Sequence, residues 1–376
     1  MNTATAAPLV LLAAGGTGGH LFPAEALAGA LVRRGFAVDL VTDARATRYG
    51  NTFPAGATHV VRSATVRGRD VVSLIRTFGA LGAGASEAWL LLGKIRPSVV
   101  VGFGGYPTLP PVLMASWRRI PTIIHEQNAV MGRANRFLAS RVTAIATSFP
   151  GVLDTAPVLA AKATHTGNPV RPAVIEAARQ AFEVPAVDGV IRLVVFGGSQ
   201  GARVMSDIVP AAIALLPPEL RARLQVVQQA RDEDTHRVRE AYVDALVSAE
   251  VAPFFADLPA RIAAAHLVIG RAGASTVAEL AAIGRPGILV PLPHALDQDQ
   301  KANAGVLEAA GGAIRISQDE FTPARLAAEL TMFAAAPVRL ASMAQAARTV
   351  GAADAAERLA DLVVKVGRLP QKGIES

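Results

Sequence analysis

The sequence predicts an α/β protein of two Rossmann-like domains facing a cleft, on three observations. The chain has 376 residues, long for a single core. One local pattern occurs twice, 182 residues apart: an apolar strand, a glycine turn of the form G-G-[S/T]-x-G, and a helix. Between and after these units, short apolar runs alternate with helical segments, as a parallel sheet with crossover helices requires.

Composition narrows the classes. Hydrophobic residues make up 51% of the chain, enough for two cores. There is no cysteine, which removes disulfides, thiol catalysis and Cys-ligated metals and fits a reducing compartment. The apolar run 8–14 stops at glycines and lacks a basic leader, so it reads as a strand rather than a signal peptide. No uncharged apolar run reaches 18 residues, so no membrane span is expected. Up to Arg171 there are 17 Lys/Arg against 7 Asp/Glu, and beyond it 20 against 23. A basic N-terminal half implies an anionic partner. No helix-turn-helix, zinc finger or aromatic-rich RNA-binding signature accompanies the charge, so an anionic membrane surface is expected and nucleic acid is not.

The first strand, 9–14, runs into Gly15, Gly16, Thr17, Gly18, Gly19 and His20, and a helix is expected over about 22–34, closed by Gly35. Glycines let a ligand approach the backbone closely at a helix start. The dinucleotide fingerprint needs glycine at position 21, where Leu21 stands, which disfavours a nucleotide-dependent oxidoreductase; no Gly-Lys-Ser/Thr completes a P-loop. His20 is a candidate for substrate contact or base. In the second strand, 36–42, Asp39 stands near the place of a dehydrogenase's ribose acid, but its alternation with apolar neighbours fits an outward position equally. The mostly apolar helical stretch 70–95, with Trp89 and Leu90, has Arg62, Arg67, Arg69, Arg76, Lys94 and Arg96 in or beside it. It is either a core helix with a charged rim or a segment that dips into a membrane interface. Trp117, Arg118 and Arg119 join the same patch.

The strand 99–102 ends in a second glycine loop, with Gly104, Gly105 and Tyr106, where backbone amides can face a diphosphate. The strand 122–124 delivers His125, Glu126, Gln127 and Asn128 to the edge of a parallel sheet where α/β ligand sites form. Thr166-Gly167-Asn168-Pro169-Val170-Arg171 reads as a domain joint, because the residue before proline avoids helix. It divides the chain into 1–165 and 166–353. A helical stretch opens the second domain in the segment 173–189, and the strand 191–196 then repeats the opening pattern with Gly197, Gly198, Ser199, Gln200, Gly201 and Ala202. Ser199 and Gln200 are candidates for a phosphate or a base. Further strands are expected at 226–228 and 251–255.

The segment 270–303 carries the most chemistry. After a strand at 265–269, Gly273 and Ala274 turn the chain, and Ser275 and Thr276 cap a helix that runs through Glu279 and ends at Gly284. Free N–H groups at that helix start favour an anion. Glu279, one turn in, can accept two vicinal hydroxyls, and Gln300 and Asn303 share a face of the following helix. A phosphate seat, a diol acceptor and an amide pair suit a nucleotide-sugar. Two D-x-D motifs, Asp232/Asp234 and Asp297/Asp299, do not end hydrophobic strands as a metal-diphosphate motif does. The first opens a helix, where acids suit the dipole, and the second reads as loop; no metal is expected at either.

Taken in order, GGTGGH, GFGGY, HEQN, TGNPVR, GGSQGA and the 270–303 segment resemble the motifs of the MurG family, bacterial enzymes that move N-acetylglucosamine from UDP-N-acetylglucosamine (UDP-GlcNAc) onto lipid I to make lipid II. The resemblance spans residues 15 to about 310. It implies the GT-B glycosyltransferase fold, with the C-terminal helix and tail, 354–376, packing back on the first domain. It implies an inverting, metal-independent transfer to the muramyl 4-hydroxyl, without a cofactor, and with His20 or Glu126 as the base. Substrate contacts would come from Thr17, Gly18, Gly19, Gly104, Gly105, Tyr106, Asn128, Arg171, Ser199, Gln200, Ala274, Ser275, Thr276, Glu279, Gln300 and Asn303, with the backbone near Phe255 reading uracil. It places the protein peripherally on the cytoplasmic face of the bacterial inner membrane, in peptidoglycan synthesis, cell shape and division, and leaves room for other cell-wall synthesis proteins as partners. The competing readings are another GT-B enzyme or a UDP-GlcNAc epimerase, which would share the donor half without needing HEQN, and a membrane-associated nucleotide-sugar sensor without turnover.

Overall fold

Every strand among the described residues belongs to one of two parallel sheets. The computed structural model describes residues 7–15, 18–43, 53–62, 71–198 and 201–370, with backbone alone over 71–81 and at 296. The chain divides into unit 1, Met1–Arg171 with Asp354–Ser376, and unit 2, Pro172–Ala353.

Unit 1 contains β1 (Leu9–Ala13), α1 (Gly18–Arg33), β2 (Ala37–Thr42), β3 (Ala57–Val60), α2 (Val71–Ile95), β4 (Val99–Gly102), α3 (Leu109–Trp117), β5 (Thr122–Glu126), α4 (Arg133–Ala139), β6 (Ala144–Thr147), α5 (Pro157–Ala160) and β7 (Ala163–His165). The sheet order is β3-β2-β1-β4-β5-β6-β7. β1 is central, with Val10 paired to Val38 on one side and Val99 on the other. Its sequence is apolar throughout because helices cover both faces of a parallel sheet. Val10 and Leu12 join one core with α1, while Leu11 and Ala13 join another with Leu92, Val112 and Leu138 from α2, α3 and α4. From β1 the chain winds to β2 on one side and later to β4 on the other. The loops after β1 and β4 therefore diverge, opening a crevice at the carboxyl edge.

Unit 2 contains α6 (Pro172–Ala177), β8 (Ile191–Phe196), α7 (Arg203–Ala214), α8 (Pro218–Arg221), β9 (Leu224–Gln229), α9 (Asp232–Asp244), β10 (Ser248–Ala252), α10 (Leu258–Ala264), β11 (Leu267–Gly270), α11 (Ala274–Ile283), β12 (Gly287–Leu289), α12 (Asp299–Ala310), β13 (Ala313–Arg315), α13 (Pro323–Ala335) and α14 (Pro337–Thr349). Its order, β10-β9-β8-β11-β12-β13, puts the corresponding crevice between the loops after β8 and β11. At the opposite, amino edge of the sheet, fully buried Arg285 donates to the carbonyls of Ala263, Ile283, Gly284, Gln180 and Ala181. Burial pushes its pKa down to about 10. Gly284, at φ 70°, ends α11 in the left-handed conformation that suits glycine.

The chain then returns to unit 1 as α15 (Ala355–Gly367). Leu359, Ala360, Val363 and Val364 form a buried stripe at helical spacing, in one core with Ala24, Leu27 and Leu31 of α1. Glu357 pairs with Arg33 at 2.7 Å and Arg34 at 2.6 Å, and Asp361 with Arg34 at 2.6 Å. These pairs are partly exposed, so the apolar stripe supplies most of the attachment.

Three local expectations change. α1 begins at Gly18, not near Phe22. The first N–H groups of a helix need no internal partner, and Pro23 forfeits only the bond to the Gly19 carbonyl. His20 therefore stands in a helical first turn. The strand expected at 251–255 is β10, which ends before Pro253, a residue with no N–H to continue the ladder. Asp39 ties the edge strand: it accepts the N–H of Ala57 at 3.0 Å and meets His59 Nε2 at 3.0 Å. Among the described residues, no single helix is long and apolar enough to cross a membrane.

Candidate functional site

In unit 1 the loops after β1 and β4 close around one side chain. A Cβ placed on Gly15, Gly104 or Gly105 would stand 3.2, 3.5 or 3.3 Å from His20 ring atoms. Gly104 and Gly105 also have φ of 80° and 78°, where side chains are strained. Glycine at 15 and 105 is thus what lets the imidazole lie this close to both loops, while at 104 the backbone conformation is the reason. The Gly105 carbonyl is held by Thr108 Oγ1 at 2.8 Å, and Tyr106 opens the short 3-10 turn that leads into α3. Gly18 is buried and Gly19 exposed in the first turn of α1.

The end of β5 adds two networks on opposite sides of an extended segment. On one side, Glu126 is 1% exposed. Its Oε1 accepts the Asn128 N–H at 3.0 Å and Asn128 Nδ2 at 3.2 Å; its Oε2 accepts the Gly132 N–H at 2.9 Å and Asn135 Nδ2 at 2.8 Å. Burial pushes this carboxyl above the usual range, and the four N–H donors oppose the shift. On the other side, His20 Nδ1 lies 3.2 Å from Gln127 Oε1. Gln127 Nε2 lies 2.9 Å from His125 Nδ1 and 2.8 Å from the His125 carbonyl, and His125 Nε2 lies 3.0 Å from the Gly167 carbonyl. His125 is fully buried, which lowers its pKa to about 4.

An apolar and basic patch lies where α2, α3 and α4 end. Leu90 is 72% exposed and Trp117 64%, with Trp89 and Phe137 also exposed. Arg118 stacks 4.0 Å over Trp89 and Arg141 4.7 Å over Phe137.

In unit 2, α11 starts at the carboxyl end of β11 with Ala274, Ser275 and Thr276, and Glu279 lies buried one turn on. The Ser275 hydroxyl oxygen is buried with no hydrogen-bond partner among the described residues. Asn303 Nδ2 donates to the Ala272 carbonyl at 3.2 Å, and Gln300 Oε1 accepts the Leu292 N–H at 3.0 Å, so α12 braces the loops on either side. Phe255 is buried under Arg261 at 4.4 Å, and Glu250 and Asp257 pin that guanidinium. Asp232 and Asp234 lie in the first turn of α9, with Asp234 held by Arg237 at 2.6 Å. Asp297 and Gln298 have φ of 59° and 56°, left-handed backbone that leads into α12, and Asp299 accepts the Gln300 N–H at 2.7 Å.

The structure thus groups His20 with Gly104 and Gly105, Glu126 with Asn128, and Ala274, Ser275, Thr276 and Glu279 with Asn303 through the 272–274 loop. Arg171 lies in unit 1, its guanidinium 4.2 Å over the Phe22 ring. Thr17, Ser199, Gln200, Arg67 and Arg69 lie outside the described residues. Sequence reasoning passed over His125, Gln127 and Asn135 as site residues. The signal for the first two was available: in an extended segment residues two apart share a side, so 125 pairs with 127 and 126 with 128.

Residues 10–147 match the glycosyltransferase family 28 N-terminal domain, and residues 192–359 the glycosyltransferase family 28 C-terminal domain. The UDP-N-acetylglucosamine–N-acetylmuramyl-(pentapeptide) pyrophosphoryl-undecaprenol N-acetylglucosamine transferase of Rhodopseudomonas palustris is 64% identical over 97% of this chain and 100% of its own length. The transferase of the same description from Nitrobacter winogradskyi is 63% identical, covering 97% of this chain and 99% of its own. The crystal structure of Acinetobacter baumannii MurG superposes with a TM-score of 0.77 at 28% identity, over 95% of this chain and 99% of that one. A UDP-GlcNAc 2-epimerase from Neisseria meningitidis, at 14% identity and TM-score 0.65, shares the fold alone, over 95% of this chain and 100% of that one.

Neutral burial of His125 makes unit 1 sensitive to acid. The unfolded chain binds a proton near pH 6.5 and the folded site only near pH 4, so stability is present above pH 6.5 and is lost as pH falls toward 4. This group alone should remove about 2 kcal/mol between pH 7 and pH 5. Urea unfolding followed by the fluorescence of Trp89 and Trp117, both in unit 1, should show that slope in the wild type and a shallower one in His125→Gln. Equal slopes would contradict the assignment.

Proposed function

The chain belongs to the MurG family within glycosyltransferase family 28, and from that membership we propose that it transfers N-acetylglucosamine from UDP-GlcNAc to the muramyl 4-hydroxyl of lipid I, forming lipid II for peptidoglycan synthesis. The observation that carries this reading is 64% identity sustained over 97% of the chain to a transferase of that description. The epimerase reading has only a shared fold behind it.

The donor is assigned to unit 2. The α11 N-terminus presents unpaired N–H groups and a positive dipole end to the diphosphate. The orphaned Ser275 hydroxyl supports this seat, because a phosphate oxygen would satisfy it. Glu279 is assigned to the ribose hydroxyls, with Gln300 and Asn303 bracing the sugar side; the backbone near Phe255 is assigned to uracil. The acceptor is assigned to unit 1, where Gly104 and Gly105 lie against His20, with Tyr106 and Asn128 assigned to further acceptor contacts. Between the two candidate bases the geometry favours His20. Glu126 is buried and each of its oxygens already accepts two N–H groups, so it positions the 128–135 loop rather than meeting a substrate.

In the transfer step, His20 takes the proton of the muramyl 4-hydroxyl as that oxygen bonds to C1 of the donor sugar. The bond from C1 to the UDP oxygen breaks on the opposite side, which inverts the anomeric centre. UDP leaves with the electron pair, and its growing charge meets glycine-loop amides and helix N-termini. We assign leaving-group stabilisation to these groups rather than to a metal, because Asp234 and Asp299 are engaged within their own helices.

We also infer peripheral attachment at the cytoplasmic face of the inner membrane. Support comes from the basic charge up to Arg171 and from Trp89, Leu90, Trp117 and Phe137 exposed beside Arg118 and Arg141. Other cell-wall synthesis proteins remain expected partners on the family resemblance alone.

Two measurements check these readings. Transfer of labelled N-acetylglucosamine to a short-chain lipid I analogue should proceed at an unchanged rate with EDTA; abolition by EDTA and recovery with a divalent ion would return Asp297 and Asp299 to the mechanism. Vesicles containing anionic lipid should shift the tryptophan emission to the blue, and neutral vesicles should do so far less. Equal response to both would remove the charge argument.

A further inference from the structure

The chain of contacts from Gly167 to His20 has one consistent arrangement of protons. The Gly167 carbonyl can only accept, so His125 Nε2 must carry the hydrogen between them. The neutral His125 ring, with its depressed pKa of about 4, then has a bare Nδ1. That nitrogen needs a donor, and Gln127 Nε2 supplies it at 2.9 Å, while the second amide hydrogen goes to the His125 carbonyl at 2.8 Å. Rotating the Gln127 amide by half a turn would set its oxygen against both the bare Nδ1 and the carbonyl, two acceptors facing a third. The amide orientation is therefore fixed by its surroundings. Its Oε1 points at His20 Nδ1, 3.2 Å away, and being an acceptor it requires the hydrogen on that nitrogen.

We propose that Gln127 and His125 are positioning residues that hold His20 as the Nδ1–H tautomer, with the Gly167 carbonyl as the fixed end of the relay, so that Nε2 is the nitrogen that takes the acceptor's proton. This rests on the reading of His20 as the base. The wrong tautomer would present an N–H to the hydroxyl and leave nowhere for its proton. The fixed end is well anchored. The N–H groups of Thr166 and Gly167 both donate to the Thr147 carbonyl, at 3.0 and 3.2 Å, and Gly167 has φ 80°, a conformation open to glycine. The relay therefore runs from the β6–β7 edge, through the segment just before the unit boundary, to the first turn of α1. Glu126 is outside it: its side chain lies on the other side of the strand, though Asn135 Nδ2 reaches both Glu126 Oε2 and the His125 carbonyl and so links the two networks.

The test is a long-range ¹H–¹⁵N spectrum of the histidine rings in the full-length protein, with His20 assigned by comparison with His20→Ala. The wild type should show His20 with a protonated Nδ1 and a bare Nε2. Gln127→Leu should give a mixture of tautomers, and its kcat for transfer to the lipid I analogue should fall at least roughly tenfold with KM for UDP-GlcNAc unchanged, within the range a general base supplies. A wild-type His20 protonated at Nε2 would overturn the relay whatever the kinetics. So would an unchanged tautomer and kcat in Gln127→Leu. If Gln127→Leu does not fold, His125→Asn, which keeps a donor and an acceptor beside Gln127, serves the same comparison. Wild-type turnover in His20→Ala, with the predicted tautomer still seen in the wild type, would overturn the base reading and with it the relay's role in catalysis, the spectrum showing which of the two had failed.

Discussion

A carboxylate with almost no exposed surface persists in a protein only where donors replace its lost water. Glu126 meets that condition with four N–H groups, two from backbone and two from asparagine side chains. The consequence is a loop from 126 to 135 with its path fixed at the carboxyl edge of the first sheet. The rest of the acceptor side depends on this. Glu126 stands between His125 and Gln127 in the chain, and Asn135 Nδ2 bonds both Glu126 Oε2 and the His125 carbonyl, so fixing Glu126 also fixes its two neighbours. Gln127 in turn meets the helix that carries His20. Removing the carboxylate would leave four donors competing for solvent in a buried place, so its loss would be felt across the site even though it touches no substrate in this account.

The two units solve the same problem with different chemistry. Each uses the reversal of strand order to separate a pair of loops, and each places a helix N-terminus there. In unit 1 the helix start is occupied by an imidazole packed on glycines, which suits proton transfer. In unit 2 it is occupied by small hydroxyl side chains with a buried carboxylate one turn further on, which suits a nucleoside diphosphate. The glycines at 15 and 105 have a steric reason, the approach of the His20 ring, and the glycine at 104 a conformational one, its positive φ, beyond any backbone contact with phosphate.

Much of the fold was legible in the sequence. Apolar runs such as Val99–Gly102 and residues 193–196 read as strands because the central strands of a doubly covered parallel sheet are buried on both faces, whereas β2 and β9 admit polar residues such as Asp39 and Gln225. The repeat of strand, glycine turn and helix pointed to the two sheets. Helix starts were less legible: the helix expected from about 22 begins at Gly18, because the glycine turn itself winds into the first turn and Pro23 costs only the one bond to the Gly19 carbonyl. In the site, residue types were legible but their connections were not. HEQN announced four polar groups at a sheet edge, and nothing in composition separates the buried Glu126 from an exposed base. Only burial and the count of donors assign it to holding the loop. Asn135 was illegible, since its contact with Glu126 depends on how α4 packs.

The central claim is that His20 is the group that takes the acceptor's proton. The most direct test is the pH dependence of kcat/KM for transfer, compared between the wild type and His20→Ala, with UDP-GlcNAc binding measured separately. If His20 is the base, the wild type shows an acid limb that is lost in His20→Ala, with a fall in rate of about 10²–10⁴-fold and unchanged donor binding. An acid limb that survives in His20→Ala, at near wild-type rate, would contradict it and return the proton to another group.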